Sequence, residues 1–397
     1  FTMPASRPEA HQFDIATTSI HADKALNATP EVAPSLSVSS TYLYNKKDHK
    51  AVNMSGLSYS YSRDKTPVLS RAEAVIGAVC NGHAIAYSSG LSAMLALLIK
   101  LRPKRIVMEH GYFGSTNVVN LYKTLTPDLK IAPLCAEYRE NDFVWLESPL
   151  NPTGEIKDIS YYANKAHAVN AILAIDATFA PPPLCDPFKH GADVVVHSGT
   201  KYFGGHADVL YGAVITKCPK MAEELHAQRY VFGAVPGNME SWLVLRSMRT
   251  LKLRVLQQSK TTSMFVAWLA NAAKGCTLAE TDGIPVGSVT RVQHASLQKF
   301  SPSFDVCSQY PNGFGPVFSV CLASKEQALW VARNLKVFQF ATSLGGVMSL
   351  VDWRYGDDTN QDPRLLRISI GLEDIEDLKN DFRSTIVAST FVNLNKL

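Results

Sequence analysis

The sequence has few of the features that mark membrane, nucleic-acid-binding or disulfide-rich proteins. No apolar run exceeds seven residues, the length of segment 93–99, whereas a membrane-spanning helix needs about 20. The net charge is only +4 and no five consecutive residues are Lys or Arg, so we expect neither a nucleic-acid nor a membrane partner. The seven cysteines include no Cys-x-x-Cys pair, which argues against a disulfide framework or a zinc ribbon. Reduced thiols and the lack of a basic-then-apolar leader lead us to expect a cytoplasmic protein.

Several well-known catalytic motifs are also missing. The nucleotide motifs GxGxxG and GxxxxGK[ST], the zinc motif HExxH and the hydrolase motif GxSxG do not occur, and we expect no metal site. The segment Ser198-Gly199-Thr200-Lys201 matches the SxxK of serine acyl hydrolases, but the companion KTG element is absent. An acyl hydrolase is therefore a minor alternative.

The composition is globular, and its pattern changes along the chain. The 397 residues are 46% apolar and 19% charged, enough for two or three domains. Residues 1–60 are polar and turn-rich and could not bury a core alone, so we predict an arm that contacts a neighbouring subunit. We predict a large domain over 61–252 and a smaller α+β domain over 253–397.

From about residue 67, helical and strand-like segments alternate. Apolar residues have helical spacing in 69–79, in 91–101 and, as one long helix, in 241–271. Short apolar runs typical of strands occupy 84–87, 105–109, 143–147, 172–177 and 192–198. The alternation predicts an α/β fold with a mostly parallel sheet and helices on both faces.

Polar residues stand at the ends of three of these runs, where open α/β sheets bind ligands. Ser88-Ser89-Gly90 follows 84–87 and opens a helix, as a phosphate cradle would. Asp176 follows the apolar residues 172–175, and Lys201 comes shortly after 194–196. Taken singly, the first two features are more typical of a helix cap and of a cap or structural ion pair, and the third is as compatible with a solvated lysine.

Together, the three features point to pyridoxal phosphate. That cofactor needs a lysine for a Schiff base, an anion pocket for its phosphate and an acid facing its pyridine nitrogen. Asp176 precedes Lys201 by 25 residues, about one βαβ step. Gly90, Ser198 and Thr200 could together line the phosphate pocket.

With these residues assembled, the chain resembles the transsulfuration family of fold-type I pyridoxal-phosphate enzymes, which have a large, mostly parallel α/β domain and a smaller α+β domain. The family comprises cystathionine γ-synthases, cystathionine lyases, methionine γ-lyases and O-acylhomoserine sulfhydrylases. The resemblance spans nearly the whole chain in ordered motifs: Thr18-Ser19-Ile20-His21-Ala22, Tyr61-Ser62-Arg63, Ser89-Gly90, Phe113-Gly114-Ser115-Thr116, Glu147-Ser148-Pro149-Leu150-Asn151-Pro152, Asp176-Ala177-Thr178-Phe179-Ala180, His197 to His206, Trp242 to Arg246, Ser343-Leu344-Gly345-Gly346 and Arg367 to Asp374.

The resemblance implies a role for each matching residue. Lys201 would hold the cofactor and shuttle protons, Asp176 would pair with the pyridinium nitrogen, and Arg367 would clamp the substrate α-carboxylate. Further cofactor or substrate contacts would come from Ser89, Gly90, Leu91, Phe113, Asn151, Thr178, Ser198, Thr200 and Ser343. Tyr61 and Phe113 are also catalytic candidates. Tyr61 and Arg63 would reach the phosphate of a neighbouring subunit. The resemblance thus implies a homo-oligomer, a dimer of dimers, with active sites shared across subunits.

Three departures from the family pattern bear on the reaction and the assembly. Phe113 stands where the family usually has a tyrosine stacked on the cofactor ring, so the hydroxyl is dispensable or is replaced by Tyr61 or Tyr112. Met348, which we expect among the substrate contacts, stands where cystathionine-handling members carry a glutamate. A thioether cannot pair with a distal ammonium group. The stretch 123–143 is also shorter than usual, as if a connecting helix were trimmed.

We therefore expect γ-replacement on an activated homoserine, an O-acyl-homoserine, as in a cystathionine γ-synthase. A β- or γ-C–S lyase is one alternative, and γ-replacement with a carbon nucleophile in secondary metabolism is another. A non-catalytic scaffold on the same fold is a further alternative, against which the intact Lys201, Asp176 and Arg367 argue.

Overall fold

The computed structural model describes residues 13–392. Its α-helices, α1 to α11 in chain order, are Ile15–His21, Pro67–Val79, Gly90–Leu101, Phe113–Leu125, Ile159–His167, Pro219–Phe232, Asn238–Met248, Leu251–Ala272, Val306–Gln309, Lys325–Asn334 and Ile375–Ser389. Its strands, β1 to β14, are Val52–Met54, Leu57–Tyr59, His83–Tyr87, Arg105–Val107, Lys130–Ala132, Phe143–Glu147, Ile172–Asp176, Val194–Ser198, Gly212–Thr216, Val289–Gln293, Val317–Leu322, Gln339–Phe340, Leu350–Trp353 and Leu365–Ser369.

A seven-stranded sheet confirms the predicted α/β class. Its strand order is β3-β9-β8-β7-β6-β4-β5. The strands from β8 to β5 are parallel, and β9 runs antiparallel to both β3 and β8. Because β3 and β8 both oppose β9, they point the same way, and the carboxyl ends of β3, β8, β7 and β6 meet at one edge. Residues 133–142 connect β5 to β6 without a helix.

Helices cover both faces of this sheet, so successive strand residues are buried in two different cores. Ile175 and Val195 belong to the first core, with α2, α5 and α7. Ala174 and Val196 point the other way into the second core, with α3 and α4. Burial on both sides explains why these strands consist of continuous apolar residues rather than alternating ones.

The C-terminal residues form a five-stranded sheet of order β10-β11-β14-β13-β12. All its pairs are antiparallel except β12 with β13. A third core lies on this sheet and centres on aromatic residues such as Phe265, Phe318 and Phe382. The segregation of strands and helices here has the α+β character predicted for 253–397, while the two domain boundaries stay predictions.

The prediction of one long helix over 241–271 is wrong in its continuity, because the chain forms two helices there. Two residues, Arg249 and Thr250, separate α7 from α8, and no glycine or proline marks the break. The cause is tertiary. Arg249 turns away to bind Asp23 at 2.8 and 2.9 Å, and Arg254 donates to the carbonyl of Ser247 at 2.9 Å, satisfying the end of α7.

The predicted arm is described only from residue 13, and its first twelve residues lie outside the described part. It contains α1 and the hairpin of β1 and β2. Val32, Val38 and Leu43 are 85–101% exposed. Apolar side chains so exposed are consistent with contact to another subunit, which stays a prediction.

Three further properties bear on the class of protein. No helix within residues 13–392 is long and apolar enough to span a membrane. Over the same range, no group of three or more His, Cys, Asp or Glu side chains could hold a metal ion. All seven cysteines are free, so no disulfide framework exists.

Candidate active site

A cavity of about 660 Å³ opens at the edge where the carboxyl ends of β3, β6, β7 and β8 meet. Its volume lies within the range of small-molecule sites. Twelve of the residues named from the sequence line it, namely Ser89, Gly90, Leu91, Phe113, Asn151, Asp176, Thr178, Ser198, Thr200, Lys201, Ser343 and Arg367. Residues from both sheets thus contribute to a single site.

Lys201 sits three residues beyond the end of β8 and is largely enclosed. Its Nζ donates a hydrogen bond to Ser343 Oγ at 2.8 Å. Burial, aided by the positive charge of Arg367, lowers the pKa of Lys201 to about 8. About a tenth of the amine is therefore neutral and nucleophilic at pH 7, as attack on an aldehyde requires.

Asp176 ends β7 and faces the cavity without a cationic partner. Its Oδ1 accepts a hydrogen bond from the backbone N–H of Thr178 at 3.0 Å. No Lys, Arg or His of residues 13–392 lies within salt-bridge distance of it. Burial raises the pKa of Asp176, although the bonds from Thr178 oppose the shift. A buried carboxylate in this state would be stabilised by a ligand that brings its own positive charge.

Glu147 is a site residue that belongs to a motif named from the sequence, where it received no role. It ends β6, directly opposite Asp176 in the strand register. Its two carboxylate oxygens each accept a backbone hydrogen bond at 2.8 Å, from Tyr112 and from Asn151. Burial and the nearby charge of Asp176 raise the pKa of Glu147 to about 8. Glu147 therefore fixes two loops of the cavity wall. Its place at the end of an apolar strand, like that of Asp176, is the sequence feature from which it could have been predicted as a site residue.

The start of α3, which the sequence predicts to be an anion cradle, lies at the edge of the cavity. Ser89 caps the helix through reciprocal hydrogen bonds with Ser92. A Cβ added to Gly90 would lie 3.0 Å from Ser198 Cβ, so the absence of a side chain allows the helix start to approach the end of β8. Thr178 Oγ1 accepts the backbone N–H of Ser198 at 2.9 Å and holds that strand end in place. Free N–H groups and hydroxyls therefore converge where a phosphate would bind.

Phe113 begins α4 and is 39% exposed, with its ring available to the cavity. The neighbouring Tyr112 also lines the cavity, and the centroids of the two rings lie 5.0 Å apart. Gly114 makes room for the Tyr112 ring, since a Cβ there would clash with Cε1 of that ring. The stacking surface and a hydroxyl are therefore both present, but on adjacent residues.

Arg367 lies on β14 with 4% of its surface exposed. Its guanidinium donates to Asn151 Oδ1 at 3.2 Å, to Ser343 O at 3.0 Å and to Asp352 Oδ2 at 2.7 Å. Burial lowers the pKa of Arg367 to about 10, which leaves it charged. Ser343 has a positive φ of 82°, a strained conformation for serine, and its two contacts with Arg367 and Lys201 help to hold it there.

Three residues named from the sequence do not line this cavity. Arg63 stacks on Tyr230, with its guanidinium carbon 4.7 Å from the ring centroid, and also lies 5.5 Å from that of Tyr61. Met348 is 42% exposed. The roles of Tyr61 and Arg63 across a subunit contact, and of Met348 towards substrate, stay predictions.

The residues present fit pyridoxal phosphate. A lysine of lowered pKa, an uncompensated acid, an open aromatic face and an anion cradle surround one cavity, as an imine-forming, phosphorylated pyridine would need. The fold and the site together define a fold-type I pyridoxal-phosphate-dependent enzyme.

Comparison with known proteins identifies the family. The family model described as Cys/Met metabolism PLP-dependent enzyme matches residues 16–387. The cystathionine γ-synthase of Mycobacterium tuberculosis is 30% identical over 389 residues, covering 92% of this chain and 96% of that protein. The cystathionine γ-lyase of Saccharomyces cerevisiae is 30% identical over 405 residues, covering 94% and 98%. The crystal structure of metB from Corynebacterium glutamicum has a TM-score of 0.83 at 27% identity, covering 95% of this chain and 98% of that one. The chain belongs to this family of pyridoxal-phosphate-dependent enzymes of cysteine and methionine metabolism.

Proposed function

We propose that the enzyme catalyses γ-replacement on an O-acyl-homoserine, in which a nucleophile takes the place of the acyloxy group on Cγ. One observation carries this choice within the family. Every carboxylate among the described residues that line the cavity is committed: Glu147 to two backbone N–H groups, Asp176 to the pyridine position, and Asp357 to Arg354 at 3.1 Å. A distal ammonium group, which cystathionine carries and an acyl ester lacks, would have to draw Asp357 away from the buried Arg354, leaving that cation with only the Asp352 carboxylate that it shares with Arg367.

The geometry of the cavity supports the following binding roles. The start of α3, with Ser198 and Thr200, would hold the cofactor phosphate, Asp176 its ring nitrogen and Phe113 one ring face. Arg367 would take the substrate α-carboxylate, with its fork already oriented by Ser343 and Asp352. When bound, pyridoxal phosphate supplies the electron sink that stabilises negative charge on the carbon next to the amino group.

Proton transfer is assigned to Lys201. Loss of the acyloxy group requires a proton to leave first Cα and then Cβ, and one flexible amine can serve both positions. A pKa of about 8 suits this role, because the amine can both take up and release a proton near neutral pH. Between these steps the amine could return to Ser343 Oγ, to which Nζ donates at 2.8 Å.

We propose further that Tyr112 supplies the hydroxyl that Phe113 lacks. Its hydroxyl makes no hydrogen bond to any of residues 13–392, and burial raises its pKa against the opposing charges of Arg354 and Arg367. The group therefore stays protonated and can donate to the departing acyl oxygen. Tyr112→Phe should lower kcat by roughly tenfold to a hundredfold with little change in cofactor affinity, and adding Phe113→Tyr should restore part of the rate. No change in kcat would contradict the assignment.

A C–S lyase is the second candidate, favoured by the similarity to the yeast cystathionine γ-lyase. A γ-lyase would use the same Lys201 and Arg367, but it would release a thiol instead of a carboxylic acid and no nucleophile would then add at Cγ. A β-lyase would lose the thiol from Cβ after removal of the α-proton alone. A nucleophile with a carbon centre or a small thiol fits the first candidate better than cysteine does, because the product then carries no distal ammonium.

One experiment separates these candidates. Holoenzyme would be mixed with O-acetyl-homoserine, with and without a nucleophile (sulfide, cysteine or a 3-oxo acid), and the products identified by mass spectrometry. Joining of the nucleophile to the four-carbon amino acid, with release of acetate, supports γ-replacement. A 2-oxo acid and ammonia in every mixture, with no joining of a nucleophile, would refute the replacement. Cleavage of cystathionine in a separate mixture would then favour the lyase.

A further inference from the structure

Arg354 lines the same cavity and has no place in the chemistry assigned to Lys201, Asp176 and Arg367. It follows β13 in one turn of 3₁₀ helix, Arg354–Gly356, and only 5% of its surface is exposed. Its guanidinium carbon lies 5.7 Å from the centroid of the Phe113 ring, within the range of a cation–π contact. A buried cation therefore lies beside the aromatic face proposed for the cofactor.

Arg354 and Arg367 share one carboxylate. Arg354 Nη1 lies 3.0 Å from Asp352 Oδ2, and Arg367 Nη2 lies 2.7 Å from the same oxygen. The two guanidinium groups are therefore neighbours, less than about 6 Å apart at these nitrogens. Asp352 is itself buried, so one enclosed negative charge serves two enclosed positive charges.

The other partner of Arg354 is easily displaced. Asp357 Oδ2 lies 3.1 Å from Nη1, but the side chain of Asp357 is 44% exposed. Ion pairs with a solvated partner are weak, because water competes for the carboxylate. A ligand carboxylate brought into the cavity could replace it with little loss.

The remaining donors of Arg354 point to a missing acceptor. Nε is buried and has no hydrogen-bond partner within the described chain. Nη2 likewise donates to none of residues 13–392, although an arginine carries five N–H donors. A buried donor left unpaired is unfavourable, so such groups normally have an acceptor in the functional complex.

We propose that Arg354 binds a second carboxylate, distinct from the α-carboxylate held by Arg367, and that a reactant of this enzyme therefore carries an acidic group. The acid belongs either to the acyl leaving group, as a dicarboxylic half-ester, or to the incoming nucleophile. The identity of these two groups rests on the proposed γ-replacement, whereas the second carboxylate site does not. Two arginines share the single carboxylate of Asp352, and none of the described acids that line the cavity lacks a partner. An anionic group therefore fits this site better than an ammonium group does.

The test is a binding measurement on the holoenzyme with two amino acids of similar length. L-2-aminoadipate carries a second carboxylate where L-norleucine carries a methyl group. Their dissociation constants would be measured by calorimetry and by the change in cofactor absorbance. We expect Arg354→Gln to weaken 2-aminoadipate by roughly tenfold to a hundredfold and norleucine by less than about twofold.

Two outcomes would overturn the proposal. An equal loss for both amino acids would mean that Arg354 helps to hold the α-carboxylate or only the fold. Equal affinities of the wild type for both, unchanged in Arg354→Gln, would mean that no second carboxylate binds. Arg364→Gln is the matched control, because Arg364 is exposed, pairs with Asp362 and lies outside the cavity; it should change neither affinity.

Two further variants keep the test valid if Arg354→Gln does not fold. Arg354→Lys keeps the charge and should retain part of the preference for 2-aminoadipate. Asp357→Asn removes the competing carboxylate and should tighten 2-aminoadipate by a few fold, without affecting norleucine. Weaker binding of 2-aminoadipate to Asp357→Asn would count against the proposal.

Turnover then distinguishes the two sources of the acid. Arg354→Gln would be compared on O-succinyl- and O-acetyl-homoserine, and with 3-mercaptopropionate and 1-propanethiol as nucleophiles on the acetyl ester. A loss of kcat/KM confined to the succinyl ester assigns the acid to the leaving group, and one confined to 3-mercaptopropionate assigns it to the nucleophile. If the wild type joins no nucleophile at all, the proposed function fails, while the binding measurement still decides the role of Arg354.

Discussion

The burial of Lys201 beside Arg367 allows a quantitative prediction of how fast the apoenzyme binds its cofactor covalently. Burial, with the Arg367 charge as a second cause, lowers the pKa of Lys201 from 10.5 to about 8. At pH 7 this leaves about 9% of the amine neutral, against roughly 0.03% for an ordinary lysine. Only the neutral amine attacks an aldehyde, and its fraction is about 300 times larger than for an unperturbed lysine. Covalent capture should therefore be faster, by less than this factor because a less basic amine is also a weaker nucleophile.

The assay is stopped-flow absorbance after mixing apoenzyme with pyridoxal phosphate across a series of pH values. The rate should rise with pH and level off around a midpoint near 8. Arg367→Gln removes the positive neighbour, so the midpoint should move upward, and a midpoint higher by one pH unit should slow capture at neutral pH about tenfold. Arg364→Gln, an exposed arginine outside the cavity, should leave the midpoint unchanged. A wild-type midpoint near 10, or a lower midpoint in Arg367→Gln, would refute the reasoning.

Three further predictions concern the cofactor site. Lys201→Ala should lower turnover by roughly a thousandfold or more while some cofactor stays bound noncovalently, and borohydride should no longer label the peptide that carries residue 201. Lys217→Ala is the control. Normal turnover in Lys201→Ala would exclude the mechanism. Asp176→Asn should raise the dissociation constant of the cofactor at least about tenfold by equilibrium dialysis, because the ring nitrogen loses a charged partner; an unchanged affinity would argue against that pairing. Gly90→Ala should weaken cofactor binding, since the new Cβ would lie 3.0 Å from Ser198 Cβ. Gly346→Ala is the control and should leave binding unchanged, because the nearest atoms to its new Cβ lie 3.9 Å away. Equal effects of the two substitutions would contradict the cradle.

The sheet and half of the site were predictable because the information is local. A buried parallel strand is a short apolar run, and the polar residue that ends it lies at the binding edge by construction of the fold. Asp176 and Lys201 could therefore be found without knowing any contact. The position of the antiparallel β9 between β3 and β8 could not, because strand order depends on pairings far apart in the sequence.

The remaining site residues depend on such distant contacts. Nothing next to Arg354 in the sequence distinguishes it from Arg364. Arg354 is buried and Arg364 is exposed because of how β13 and β14 pack, which the local sequence does not reveal. The break between α7 and α8 has the same origin, because Asp23, more than two hundred residues earlier, binds Arg249. Glu147 lay in a recognised motif, but its role emerges only when its oxygens meet the N–H groups of two separate loops.

The helix α8 has a consequence for the stability of the whole molecule. Its 22 residues form a rod of about 33 Å. Leu251 and Val255 near its start are buried in the first core, and Phe265 and Leu269 near its end are buried in the third. Neither sheet can lose its packing without exposing part of this shared helix, so the two regions should melt together as one cooperative unit rather than as independent modules.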